Sequence, residues 1–144
     1  MKSKFHSIVL AVILTPVLFI IAGCGKLELT PIPPMASHNL TEADNGKTID
    51  LDTGDMLVIR LAGNPSTGYS WEAQDLDAQV LKQVREVEFD STESPPGLVG
   101  AGGTLILTFE AIESGTVPLT LVYHRPWEVD AAPLQTFSVT VTVK

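Results

Sequence analysis

The last strand-like run constrains this chain most: Thr136-Phe137-Ser138-Val139-Thr140-Val141-Thr142-Val143 alternates without a break. A helix of that sequence would scatter Phe137, Val139, Val141 and Val143 around its circumference. An extended strand puts all four on one face and the hydroxyls on the other. Such a strand needs an apolar surface to lie against, so it commits the chain to at least two packed layers. The same period recurs upstream. Met56 to Ala62 carries Leu57, Ile59 and Leu61 on one face. Thr104 to Ile112 carries Leu105, Leu107 and Phe109, and Val117 to Tyr123 carries Val117, Leu119, Leu121 and Tyr123. Lys47 to Leu51 and Tyr69 to Ala73, with Trp71 inward, read as shorter strands.

Turn chemistry separates these runs. Asp44-Asn45-Gly46 and Asp52-Thr53-Gly54-Asp55 are turn signals, and Ser114-Gly115 reads as a hairpin-type turn. Pro118 points to an edge or to the first residues of its strand. Val80 to Phe89 fits both a helix and a strand template; its valine and phenylalanine content favours the strand. Asp90 to Gly103 then forms a long loop containing Pro95 and Pro96. Seven or so strands, with no convincing helix, predict an all-β, immunoglobulin-like β-sandwich. The single cysteine leaves no intrachain disulfide, which excludes an antibody-type domain.

The front of the chain reads differently. Lys2 and Lys4 precede an apolar run from Ile8 to Ile21, interrupted only by Thr15 and Pro16. That run is shorter than the roughly 20 residues of a membrane span and suits a secretory signal. It ends in Ile21-Ala22-Gly23-Cys24, which resembles the lipobox of bacterial lipoproteins. The resemblance implies cleavage of residues 1–23 and acylation of Cys24, so that the mature chain holds a lipid bilayer on the outer side of a bacterial envelope membrane, periplasmic or cell-surface. The bland alternative is an ordinary cysteine of the signal region. Residues 24–39, with Pro31, Pro33 and Pro34 and no periodicity, read as a tether, and 40–144 as the folded domain.

The net charge is −8, and loss of Lys2 and Lys4 makes the remainder more acidic. No basic patch exists, which argues against nucleic acid as a partner. His38 and His124 are the only histidines after the signal, and no His/Cys/Asp/Glu group has metal-ligand spacing. No cofactor is expected. Glu86/Glu88 and Asp75/Asp77 are the best carboxylate pairs for an enzyme, but acids at that spacing usually form a solvated face.

Three loops stand out instead. Asn64-Pro65-Ser66-Thr67-Gly68-Tyr69 combines a proline that fixes φ, a glycine that permits positive φ, and side chains that bond their own backbone. Gly100-Ala101-Gly102-Gly103 is a small-residue loop, and His124-Arg125-Pro126-Trp127-Glu128 opens a third. An even number of strands separates each from the next, so an antiparallel sandwich can bring all three to one end. Arg and Trp are binding hot-spot types, and proline lowers the ordering cost of association. Taken singly, the first loop is also an ordinary well-made turn, and Trp127 also fits an aromatic folded back on the sandwich with Arg125 stacked upon it.

In this order the three motifs resemble the signature loops of the chagasin-type inhibitors of papain-like cysteine peptidases. Ser66 stands where that family frequently has threonine. The resemblance covers Leu40 to Lys144 and implies a monomer that inhibits reversibly and without a covalent bond. It implies that Ser66-Thr67-Gly68 covers the catalytic Cys/His pair, that Gly100 to Gly103 follows the non-primed subsites, and that Arg125 and Trp127 engage the primed side. The rival expectation is a structural or adhesive envelope lipoprotein that shares only the sandwich.

Overall fold

The computed structural model describes residues 35–92 and 100–144, and within them nine strands build two sheets. They are β1 (Ser37–Leu40), β2 (Thr48–Leu51), β3 (Met56–Gly63), β4 (Ser70–Gln74), β5 (Leu81–Gln83), β6 (Glu88–Asp90), β7 (Gly103–Ala111), β8 (Gly115–His124) and β9 (Gln135–Val143). One sheet has the order β1-β3-β7, with β5 and β6 end to end along the far edge of β7; the other has the order β2-β9-β8-β4.

The period-two runs decide the packing. Leu57, Ile59 and Leu61 of β3, Leu107 and Phe109 of β7, and Leu119 and Leu121 of β8 are completely buried. Phe137, Val139, Val141 and Val143 of β9 line the same core from the opposite sheet. Trp71 is buried, and its indole N–H donates to the Ala62 carbonyl at 3.0 Å, so it ties β4 across to β3. Pro118 is tolerated because the β4 ladder reaches β8 only from Thr120 onward.

Three expectations change. The Val80 to Phe89 run is a strand, but a broken one. From Gln83↔Phe109 to Glu88↔Ile106 the chain advances five residues while β7 passes three, so two surplus residues bulge out. Ser114-Gly115 does not close a hairpin: β7 and β8 lie in different sheets, and the chain crosses between layers there. The sheet also begins before Leu40. Ser37, His38 and Asn39, expected in the tether, run parallel to β3 in the register Ser37↔Met56 to Leu40↔Ile59. Asp55 fastens them. Its carboxylate accepts the Ala36 N–H at 2.9 Å and the Asp52 N–H at 3.1 Å, and lies 3.0 Å from His38 Nε2.

Candidate functional site

Two ladder registers place the loops. Gly63, the last residue of β3, pairs with Gly103, the first of β7. Ser70, the first residue of β4, pairs with His124, the last of β8. Loop 64–69 therefore leaves beside the end of the glycine loop and returns beside the start of loop 125–134. It lies between the other two at one end of the sandwich. The broken strand does not upset the parity expected from the sequence, because β5 and β6 run along β7 in the same direction.

Within the central loop, Pro65–Thr67 is a single 3-10 turn, with Pro65 at its first position, where the missing N–H costs nothing. Asn64 is extended. Its side-chain oxygen accepts the Ser66 N–H at 3.1 Å and the Ser66 hydroxyl at 2.5 Å. The Thr67 hydroxyl donates to the Asn64 carbonyl at 2.6 Å, and the Gly68 N–H to the Pro65 carbonyl at 2.9 Å. Gly68 closes the turn at φ +81°, a left-handed conformation that side chains disfavour. Ser66 and Thr67 are left exposed at the tip.

Each flanking loop is fixed to this turn. The Asn64 side-chain amide donates to the Gly100 carbonyl at 2.8 Å. On the other side Arg125 Nε donates to the Thr67 carbonyl at 3.1 Å, and Nη1 to Glu128 Oε1 at 2.9 Å. The guanidinium lies over the Tyr69 ring, 4.5 Å from its centroid, and not on Trp127. The bond to Glu128 raises the Arg125 pKa further above its ordinary value, so the cation is permanent. Trp127 covers Gly68 instead: a β-carbon on that glycine would collide with Cη2 and Cζ2 of the indole. The indole nevertheless stays 65% exposed. Pro126 is exposed beside it; on the far loop Gly102 is exposed and Ala101 partly so.

Below the loops an aromatic column continues into the core. Tyr123 stands between Tyr69 and Trp71, with ring centroids 5.2 Å from each. Its hydroxyl accepts the Asn64 N–H at 2.8 Å. His124 holds the base of the third loop to β4 through Glu72, at 2.7 Å, and so positions rather than ligates.

All thirteen loop residues predicted from the sequence thus gather at one end. Cys24, Pro95 and Pro96 lie outside the described residues. The sequence reading missed Tyr123, which it took for core alone, and Glu128, though its position three residues after Arg125 signals a turn-spanning ion pair. It placed Asn64 in the binding loop but gave its side chain only local backbone bonds, whereas the side chain bridges two loops. Among the described residues no group of His, Cys, Asp or Glu can hold a metal ion. The edge offers backbone, small hydroxyls and one broad apolar ring, which suits docking into a groove.

Residues 50–141 match the family described as Chagasin family peptidase inhibitor I42. The chain is 34% identical over 106 residues to Amoebiasin-1 of Entamoeba histolytica, covering 74% of this chain and 99% of that one. It is 32% identical over 107 residues to Chagasin of Trypanosoma cruzi, covering 72% and 94%. Among solved structures it resembles a cysteine protease inhibitor from Entamoeba histolytica, with a TM-score of 0.67 and 29% identity over 78% of this chain and 99% of the other.

Proposed function

The chain belongs to the chagasin family of peptidase inhibitors, and from that premise we propose that its three-loop edge plugs the active-site cleft of papain-like cysteine peptidases. The observation that carries this reading is the pair of registers, Gly63↔Gly103 and Ser70↔His124, which gathers three distant loops into one blunt surface. The central turn, Ser66-Thr67-Gly68, stands over the catalytic cysteine and histidine. A peptidase cleaves extended backbone, and this segment is a closed 3-10 turn held by its own hydrogen bonds. It fills the cleft without offering a scissile bond in reactive geometry. Gly100 to Gly103 follows the non-primed side, where small residues let backbones approach closely. Trp127 supplies the primed-side anchor. Because the loops are already tied together, little ordering entropy remains to oppose binding.

Titration of the soluble chain from Gly25 against papain is expected to abolish activity stoichiometrically. Full peptidase activity at micromolar inhibitor would exclude this reading and favour an envelope module that binds some other protein. Truncation at Leu40 is unsuitable for the experiment, since it removes three of the four residues of β1.

The signal-like front end supports a second part of the proposal. Cys24 carries diacylglycerol after cleavage, and the domain sits on the outer side of a bacterial envelope membrane. Expressed in a lipoprotein-processing host, the chain should partition into detergent and carry the lipid mass on Cys24. Cys24→Ser, which lacks the acceptor sulfur, should lose that lipid mass and is the matching control; a wild-type chain found in the aqueous phase would refute the anchor.

A further inference from the structure

β3 is the ruler of the molecule. Its first residue, Met56, donates its N–H to the Ala36 carbonyl at 2.8 Å, and its last, Gly63, opens the central loop. β1 runs parallel to it, so the chain enters the sandwich level with Met56 and heads toward the loops. Seven residues of strand separate the two levels, about 23 Å at ~3.3 Å per residue. The Asp55 carboxylate pins that point of arrival through the Ala36 N–H and His38, and the Asp52–Asp55 turn surrounds it. Both tryptophans lie at the other end: Trp71 bonded to Ala62, and Trp127 against Gly68.

We infer that the point of attachment and the peptidase-binding edge occupy opposite poles, so that a membrane-held molecule presents its loops to the solution and captures soluble peptidases approaching from the aqueous side. This rests on the inhibitory reading and on attachment at Cys24. From Cys24 to Met35 the chain spans at most about 40 Å. The domain is therefore kept within that reach of the bilayer, and its loops lie a strand-length beyond the point where the chain enters the sheet. A loop edge beside the point of arrival would instead face the lipid and be shielded by it.

The chain has a single cysteine, so the mature chain, residues 24–144, can be coupled at Cys24 to vesicles of maleimide-bearing phosphatidylcholine. Two variants in the Cys24→Ser background attach elsewhere: T53C in the turn beside Ala36, and D130C in the exposed third loop. Papain inhibition is compared for each before and after coupling. Attachment at Cys24 or T53C should change the inhibition constant less than threefold, and attachment at D130C should weaken it at least tenfold. Brominated lipid supplies a readout that needs no inhibition. It should quench tryptophan fluorescence in the D130C form and leave the other two unaffected. Loss of inhibition or quenching in the T53C form equal to that of D130C would overturn the polarity. If the free chain fails to inhibit papain, the inhibitory reading falls, and quenching still decides the polarity. If cells leave Cys24 unacylated, only the natural anchor falls.

Discussion

Arg125 lies over the Tyr69 ring, its guanidinium carbon 4.5 Å from the centroid, and from there its Nε reaches the Thr67 carbonyl. Both faces of the relationship matter. The stack joins the third loop to the aromatic column, and the hydrogen bond fixes the tip of the central loop. Arg125 is thus a clasp inside the binding edge as much as a contact surface. A lysine keeps the charge but has no planar fork to stack and bond at once. Arg125→Lys is expected to weaken peptidase inhibition roughly tenfold while the melting temperature stays within a few degrees. Glu128→Gln keeps a hydrogen-bond acceptor and should cost less than threefold. Equal losses in the two variants would contradict this division of roles.

Gly68 is required twice, by its positive φ and by the indole lying on it. Gly68→Ala should cost about 1–2 kcal/mol from backbone strain and also push Trp127 off its seat. Denaturant melts would register the first effect and a change in Trp127 fluorescence the second. A variant with wild-type stability and wild-type inhibition would mean that the turn is not held as described.

Trp127 is mostly exposed, so its removal costs the fold little and the interface much. Trp127→Ala should weaken binding by roughly 2 kcal/mol or more, as central aromatic anchors do. The thermal midpoint should not move. An unchanged inhibition constant would remove Trp127 from the contact surface.

The period-two runs were readable because the pleat leaves no choice. Once Leu57, Ile59 and Leu61 share a face, that face is buried, and Phe137 to Val143 must meet it. The loop motifs were readable for a similar reason, since proline and glycine dictate backbone locally. What depended on distant partners was not readable. Ser37-His38-Asn39 is polar and becomes a strand only because β3 has an open edge and Asp55 is placed to hold it. The break after Gln83 is set by the spacing of its partners on β7. Ser114-Gly115 carries turn chemistry, but nothing local says which sheet the next strand joins. Arg125 could equally have stacked on Trp127; the register Ser70↔His124 brings Tyr69 beneath it instead.

The Asp55 clasp makes a prediction about acid. The N–H groups of Asp52 and then Ala36, followed by His38, hold the Asp55 carboxyl below the usual carboxylate range. A group whose pKa is lower folded than unfolded binds fewer protons in the folded state. Its stabilising effect is therefore complete above the unfolded value, about 3.9, and is lost as pH falls through the folded one. Wild-type protein should lose stability below about pH 4, with β1 opening first because the Ala36 and His38 contacts to Asp55 loosen together. Asp55→Asn should be less stable near neutrality and lose less on acidification. Amide hydrogen exchange at Ala36 and Asp52 reads this directly: both amides should be protected at pH 6 in the wild type and exchange faster in the variant. The loop edge lies at the other end of β3, so inhibition by Asp55→Asn at neutral pH should remain within twofold of wild type. A larger loss would mean that the two ends of the sandwich are coupled through β3.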